Sequence, residues 1–151
     1  MSALLRNLAV RLRPVRGVLV DSNILLDLSL NDAKWAPWSS EALADVGDYA
    51  SLVINPLIYA EVSASFPTIE ALDEALPLSL YAREDLPWDA CFLAGRAFLR
   101  YRRAGGVKSS PLPDFYIGAH AAIRGLALLT RDPARFRTYF PSVEVLAPER
   151  G

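Results

Sequence analysis

Short apolar runs alternate with helical segments along this chain of 151 residues, and this alternation limits the fold more than any other feature. The runs Val18–Val20 and Leu126–Leu129 are apolar at every position, a pattern typical of strands that are buried on both faces of a sheet. Strands that are separated by helices pair in parallel through right-handed crossovers. The sequence therefore predicts an α/β fold in which an open parallel sheet carries helices on both faces.

Caps and turn residues divide the chain into its individual elements. Asn55 followed by Pro56 predicts an N-cap and the first position of a helix, and Gly125 predicts a helix end. The predicted strands are Val18–Val20, Ser51–Asn55, Leu126–Thr130 and Val143–Ala147, with a short edge strand around Leu78–Ala82. The predicted helices cover 23–29, 39–49 (with Ser39 or Ser40 as its cap), 56–65, 68–76, 87–104 and 114–124.

The length of the chain fits a single domain with a substantial core. Its 16 basic and 17 acidic residues give a formal charge of −1, so total charge argues neither for nor against a nucleic-acid ligand. The single cysteine, Cys91, cannot form an internal disulfide and suits a reducing compartment, so we expect a cytoplasmic protein. No apolar stretch approaches the ~20 residues of a membrane span, and no membrane partner is expected.

The first sixteen residues differ in charge from the rest of the chain. They contain no acidic residue and carry four arginines, Arg6, Arg11, Arg13 and Arg16. The segment lacks the apolar stretch and cleavage site of a signal peptide, although its leucines recur at helical spacing. We interpret residues 1–16 as a basic N-terminal extension and residues 17–148 as the folded domain.

Four acidic side chains fall where the predicted fold brings chain segments together. Asp21 directly follows the first strand and Asp132 follows the Leu126–Thr130 strand by two residues, so both lie at the carboxyl edge of the sheet. The helix that begins at Asp114 and the strand that returns from it each span roughly 16 Å, which predicts that Asp114 neighbours Asp132. Glu61 lies among apolar residues in the helix after the second strand, where an unpaired carboxylate is costly.

Each of these carboxylates alone has a structural explanation as a turn, cap or helix-dipole residue. Together at one edge they raise one another's pKa unless a cation neutralises them. A hard divalent ion prefers oxygen ligands, and the single histidine and single cysteine argue against zinc. Magnesium or manganese fits this donor set and can activate water and stabilise the charge that develops on a phosphodiester. The residues thus predict a metal-dependent phosphodiesterase.

The segments VLVDSNILLDL, INPLIYAEV and PLPDFYIGAHAAIRGLALLTRD, followed by PARF, resemble in order and spacing the PIN domain. The resemblance is to VapC-type toxin ribonucleases of type II toxin–antitoxin pairs, and it runs from about Gly17 to Pro148. It implies a Rossmann-like sheet and a Mg²⁺- or Mn²⁺-dependent endoribonuclease, with transfer or ribosomal RNA as the expected substrate. It also implies a homodimer and a cognate antitoxin protein that binds and blocks the site.

The resemblance assigns roles to the acidic residues and to their polar neighbours. The four acids of the family match Asp21, Glu61, Asp114 and Asp132. Asp21 and Asp114 would be the core metal ligands, while Asp132 and Glu61 would bind the ion further or orient the attacking water. The residues that match the polar neighbours of these acids are Ser22, Asn23 and Thr130.

Basic residues before Asp114 are candidates for contacts with RNA. Their spacing puts the first three on one face of the predicted helix 87–104, from which they could track a phosphate backbone; the set is Arg96, Arg100, Arg103 and Lys108. A solvated helix face is the alternative explanation. His120 lies away from the helical face that carries Asp114, so we do not expect it to act as a general base.

Two other functions use similar features. A phospho-acceptor signalling domain also has an open α/β sheet with aspartates at its edge, but it needs an acidic pair after the first strand and a lysine after a late strand. Here Asp21 has no adjacent acid, and neither Lys34 nor Lys108 follows a strand. A non-catalytic interaction module on the same fold would bind a partner through the acidic pocket, and the complete set of acids argues against it.

Overall fold

The computed structural model describes residues 16–109 and 112–149, and within them an open sheet of five parallel strands forms the centre of the molecule. The strand order is β3-β2-β1-β4-β5, and all four pairings are parallel. The strands are β1 (Val18–Val20), β2 (Leu52–Ile54), β3 (Tyr81–Arg83), β4 (Ala127–Leu129) and β5 (Val145–Leu146). The predicted α/β fold with an open parallel sheet is confirmed.

Seven helices connect the strands within the described residues. They are α1 (Ser22–Ser29), α2 (Ala36–Gly47), α3 (Pro56–Ser63), α4 (Ile69–Ala75), α5 (Trp88–Arg103), α6 (Pro113–Arg124) and α7 (Ala134–Tyr139). The predicted cap of α3 is present, since Asn55 Oδ1 accepts a hydrogen bond from the Ile58 N–H at 2.9 Å. Gly125 ends α6 in the left-handed conformation with φ of 63°, which a residue without Cβ adopts at little cost.

Three elements differ from the predictions. Helix α2 begins at Ala36 and not at Ser39, because Pro37 suits the first turn of a helix and the Ser39 hydroxyl donates to Asp27 instead of capping. Strand β3 is displaced from Leu78–Ala82 toward the carboxyl side. Helix α7 was not predicted, since its six residues are too few to show an apolar period.

The chain reverses its direction of travel across the sheet at β1. From β1 it proceeds outward through β2 to β3, and it then returns to place β4 on the other side of β1. A crevice forms at such a switch point, outside the carboxyl ends of the strands. The order also differs from the 2-1-3-4-5 order of flavodoxin-like signalling domains, so the fold does not support a phospho-acceptor function.

The core lies on both sides of the three central strands, whose residues are all buried. Among the fully buried side chains of the helices are Ile24, Ile58, Phe115 and Phe136. No helix in the described part of the chain is long and apolar enough to cross a membrane. The predicted N-terminal extension lies, up to residue 15, outside the described residues.

Candidate active site

Asp21 occupies the carboxyl end of the central strand. Its backbone N–H donates to the Leu129 carbonyl at 2.9 Å, which continues the pairing of β1 with β4 and sets Asp21 beside Thr130. The Thr130 hydroxyl donates to Asp21 Oδ2 at 2.8 Å, and the side chain of Asp21 is only 4% exposed. The strand register therefore brings a buried carboxylate to the edge of the sheet.

Ser22 connects Asp21 to Glu61. The Ser22 hydroxyl lies 3.1 Å from Glu61 Oε1 and 3.5 Å from Asp21 Oδ1, so its proton can serve either carboxylate. Glu61 reaches this position because α3 begins at the carboxyl end of β2, next to β1 in the sheet. The predicted proximity of Glu61 to Asp21 is thus present.

Thr130 uses all of its hydrogen-bonding capacity in the site. Besides donating to Asp21, its oxygen accepts from Asn23 Nδ2 at 3.2 Å and from the Asp132 backbone N–H at 3.1 Å. Asn23 Nδ2 also lies 3.4 Å from Asp132 Oδ2. These contacts hold α1 and the turn after β4 in one arrangement, with Asp132 at its exposed rim.

Asp114 lies in the first turn of α6 and pairs with an arginine that the sequence analysis did not single out. Arg135 Nη1 donates to Asp114 Oδ2 at 3.1 Å, and its guanidinium carbon lies 5.9 Å from the centre of the Phe115 ring. Arg135 belongs to α7, one turn after Asp132 in the chain. Its closeness to Asp132 in sequence was the available signal.

Burial raises the pKa of Asp21 to about 7. The negative charges of Asp114 and Glu61 act in the same direction, and the Thr130 hydrogen bond opposes them. Burial also raises the pKa of Glu61, with a further contribution from Asp114 and a partial offset by Ser22. Because these carboxylates perturb one another, they form one electrostatic cluster.

The pKa of Asp114 is likewise raised by burial, even though Arg135 lowers it through its charge and hydrogen bond. The nearby charge of Asp132 contributes to the increase. The other basic contact of the cluster is weak, since Arg131 Nη1 lies 3.9 Å from Asp132 Oδ2. The acidic cluster therefore carries more negative charge than its two arginine neighbours neutralise.

The cluster has the donor chemistry of a hard cation site without a preformed coordination sphere. Within residues 16–109 and 112–149, no three acidic, histidine or cysteine side chains already converge on one metal position. Arg135 contacts only Oδ2 of Asp114, so Oδ1 retains lone pairs that could bind a metal ion. The residues that could hold an ion are carboxylates with raised pKa values, which a cation would favour in their charged form.

A cleft of about 640 Å³ opens beside Asp114 and Asp132. Arg135 and the aromatic residues Tyr101 and Tyr139 line the same cleft. The Tyr101 ring packs against Phe98 and Phe115, and the Tyr139 ring lies against Phe115 and under Arg100. The guanidinium of Arg135 is the group that suits the cleft to a phosphate. The cleft gives the site a place for a nucleic-acid strand.

The predicted basic stripe is exposed but does not all face this cleft. Arg100 donates to the carbonyls of Thr138 and Tyr139, both of which line the cleft. Arg96 instead lies over the Phe92 ring at 4.8 Å, on the outward side of α5. Of these two arginines in the predicted stripe, Arg100 therefore lies next to the cleft and Arg96 faces away from it.

Two buried polar networks were not predicted. Asp27, 2% exposed, accepts from the Ser39 hydroxyl at 2.7 Å and from Arg131 Nε at 3.0 Å. In the other network the Asn55 side chain lies 3.0 Å from Nδ1 of the fully buried His120. A polar residue within an apolar helical run was the available signal for both Asp27 and His120.

The fold and site define an open parallel α/β protein that gathers four carboxylates at its topological switch point. The profile of the PIN domain matches residues 18–140, more than half of the chain. The chain belongs to the PIN domain family. The resemblance found in its sequence motifs is thereby confirmed.

Solved structures share this fold at low sequence identity. VapBC2 from Rickettsia felis bound to a promoter DNA fragment matches with a TM-score of 0.66 and 16% identity, covering 87% of this chain and 98% of that chain. VapBC-1 from nontypeable Haemophilus influenzae matches with a TM-score of 0.64 and 17% identity, covering 86% and 96%. A toxin–antitoxin complex from Klebsiella pneumoniae matches with a TM-score of 0.55 and 24% identity, covering 79% and 89%. The search of curated proteins gives no match.

Proposed function

We propose that this protein is a metal-dependent endoribonuclease that hydrolyses RNA phosphodiester bonds, with Asp21, Glu61, Asp114 and Asp132 as its catalytic residues. The observation that carries the proposal is the electrostatic cluster at the switch point, in which burial and mutual repulsion raise the pKa of three of the four carboxylates. Membership of the PIN family and the adjoining cleft support it.

A magnesium or manganese ion would be held by Asp21 and Asp114, with Asp132 as a further ligand. The all-oxygen donor set and the excess negative charge of the cluster favour a hard divalent cation over zinc. When bound, the ion supplies an activated water and stabilises the charge that develops on the scissile phosphate. Glu61 lies close enough to share a hydroxyl with Asp21 and would help to orient the attacking water.

The remaining side chains orient this cluster and bind the substrate. Ser22 and Thr130 hold the two oxygens of Asp21 in different directions, and Asn23 fixes Thr130. Arg135 is suited to bind a phosphate of the RNA when it leaves Asp114.

The resemblance of the sequence motifs to VapC-type toxins also suggests a wider biological role. The structures with which the chain shares its fold include VapBC proteins and a toxin–antitoxin complex. We therefore propose that the protein is the toxin of a VapBC-type pair, acts in the cytoplasm as a homodimer, and is blocked by a cognate antitoxin. Transfer or ribosomal RNA is the proposed substrate, and Arg100, Arg103, Lys108 and Arg96 are the proposed contacts with its backbone.

The test is cleavage of purified transfer and ribosomal RNA with Mn²⁺ or Mg²⁺, against a reaction that contains a chelator. We expect discrete fragments that require the metal. Asp21→Asn and Asp114→Asn should each lower the cleavage rate roughly 100-fold or more, because each removes a charged ligand while retaining its size.

Asp48→Asn is the matched control, since Asp48 is an exposed aspartate at the end of α2. It should cleave at the wild-type rate. Undiminished cleavage by a folded Asp21→Asn or Asp114→Asn variant, or in the presence of the chelator, would overturn the proposal.

A further inference from the structure

The turn that carries Asp132 is attached to α1 at two points. At the first, Asn23 Nδ2 donates to Thr130 Oγ1 at 3.2 Å and lies 3.4 Å from Asp132 Oδ2. At the second, one helical turn farther along α1, Arg131 Nε donates to both oxygens of Asp27, at 3.1 and 3.0 Å. Because Arg131 lies between Thr130 and Asp132 in the chain, this ion pair holds the backbone between two residues of the active site.

The segment that joins α1 to α2 completes a socket around Arg131, formed by Asp27, Trp35 and Ser39. The guanidinium carbon of Arg131 lies 5.5 Å from the centre of the Trp35 ring, and the Ser39 hydroxyl donates to Asp27 Oδ2 at 2.7 Å. Asp32 holds Trp35 in place, because Asp32 Oδ1 accepts from the Trp35 N–H at 2.8 Å. The position of Arg131 is therefore fixed by groups from both helices and from the loop between them.

Core packing does not explain why this socket contains a charged pair. The side chain of Asp27 is 2% exposed and that of Arg131 is 25% exposed. Taking two charges out of water is costly, and replacing such a pair by well-packed apolar residues is often neutral or stabilising. What an apolar pair lacks is direction, because charge-assisted hydrogen bonds to both oxygens of one carboxylate fix the orientation of the arginine.

The side chain of Asp132 depends on this orientation. It is 76% exposed and lies 3.4 Å from Asn23 Nδ2 and 3.9 Å from Arg131 Nη1, both long contacts. Burial does not fix its carboxylate, so its direction follows from the backbone of the turn. The Asp132 N–H also donates to Thr130 Oγ1 at 3.1 Å, so a displaced turn would disturb the hydroxyl that donates to Asp21.

We propose that Asp27 and Arg131 are positioning residues of the active site. Their ion pair orients Asp132 and Thr130 toward the acidic cluster and thereby raises the affinity of the cluster for a divalent cation. Neither residue binds the ion or the RNA itself. The inference rests on the proposed metal-dependent activity and extends it to two residues outside the four acids and their matched polar neighbours.

Binding of Mn²⁺ to the full-length protein, followed by loss of the electron paramagnetic resonance signal of the free ion, tests this without RNA. We expect Asp27→Asn and Arg131→Gln each to raise the dissociation constant for Mn²⁺ roughly tenfold or more. In RNA cleavage, kcat should fall by a similar factor while KM stays within about twofold of the wild-type value. The double variant should be no worse than either single variant, because both substitutions remove the same pair.

The double variant also guards against misfolding, since it leaves no unpaired charge in the socket, and circular dichroism reports whether it is folded. Asp73→Asn is the matched control. Asp73 pairs with Arg83 Nη2 at 2.9 Å, but both side chains are well exposed, at 46% and 40%. This variant should keep the wild-type affinity for Mn²⁺ and the wild-type kcat.

Wild-type affinity for Mn²⁺ in a folded Asp27→Asn variant, or in the folded double variant, would overturn the proposal. A rise in KM confined to Arg131→Gln would also overturn it, since Arg131 would then contact the RNA directly. If the wild type binds Mn²⁺ and cleaves RNA, either result counts against the positioning pair alone. A wild type that neither binds Mn²⁺ nor cleaves RNA would instead overturn the proposed nuclease, and this inference with it.

Discussion

At the scale of single residues, Arg135 is the basic side chain that contacts Asp114 and partly neutralises its charge. Its guanidinium lies 3.1 Å from Asp114 Oδ2 and forms part of the wall of the adjoining cleft. An arginine in this position can neutralise the carboxylate or bind a phosphate, and a cation at the cluster would release it for the second role.

Arg135→Gln should weaken RNA binding by losing one phosphate contact. We expect the slope of log affinity against log salt to fall by about 1. Fluorescence anisotropy with labelled RNA at several salt concentrations, using a catalytically silent Asp21→Asn background, measures this. Arg137→Gln on the same helix is the control, since Arg137 is exposed and does not line the cleft. Equal slopes for the two variants would contradict a phosphate contact by Arg135.

At the scale of the elements, the start of α3 shows how a helix cap is tied to the core. Because Asn55 Oδ1 accepts from the Ile58 N–H, Nδ2 must face His120 and donate to its Nδ1. The proton of His120 is therefore on Nε2, which donates to Glu84 Oε1 at 3.1 Å. Burial lowers the pKa of His120, so the ring remains neutral near pH 7.

Asn55→Ala should destabilise the protein by about 2–3 kcal/mol, because it removes a cap and leaves His120 Nδ1 without a donor. Thr68→Ala is the matched control, since Thr68 caps the exposed start of α4 through the Ala71 N–H at 3.1 Å. It should cost about 1 kcal/mol. Urea unfolding of the two variants measures the difference, and equal losses would show that the His120 contact contributes nothing.

The same elements show what could be read from sequence. The cap at Asn55 and the position of Asp21 were predictable, because caps and buried strands depend on local residue patterns. The start of α2 was not, because Ser39 donates to Asp27, a contact between different helices. The Arg135 contact also depends on how α7 lies against α6, which no local pattern specifies.

At the scale of the whole molecule, the acidic cluster opposes folding in the absence of a cation. The pKa of Asp21 is 3.8 in an unperturbed chain and about 7 in the folded protein. Between these values the folded state binds more protons than the unfolded state, so the free energy of unfolding falls as pH rises from about 4 to 7. The raised pKa values of Glu61 and Asp114 act in the same direction.

His120 acts in the opposite direction, since its lowered pKa makes the folded state more stable as pH rises toward 6.5. The contribution of Asp21 is therefore isolated by comparing the wild type with Asp21→Asn. In a chelator, we expect the variant to gain stability relative to the wild type as pH rises from 4 to 7, by about 3 kcal/mol in all. Urea unfolding at intervals of half a pH unit measures the difference.

A divalent cation should offset most of this difference in stability between the wild type and Asp21→Asn. At about 100 times its dissociation constant, Mn²⁺ should stabilise the wild type by about 2.7 kcal/mol, because it binds the folded cluster and not the unfolded chain. The Asp21→Asn variant should gain much less, since it lacks a core ligand. If both proteins gained equally, the ion would be bound elsewhere, and the excess charge of the cluster would need another neutralising partner. Such a result would mean that Asp21 does not bind the metal ion. The stability cost of burying Asp21 would then be unrelated to metal binding.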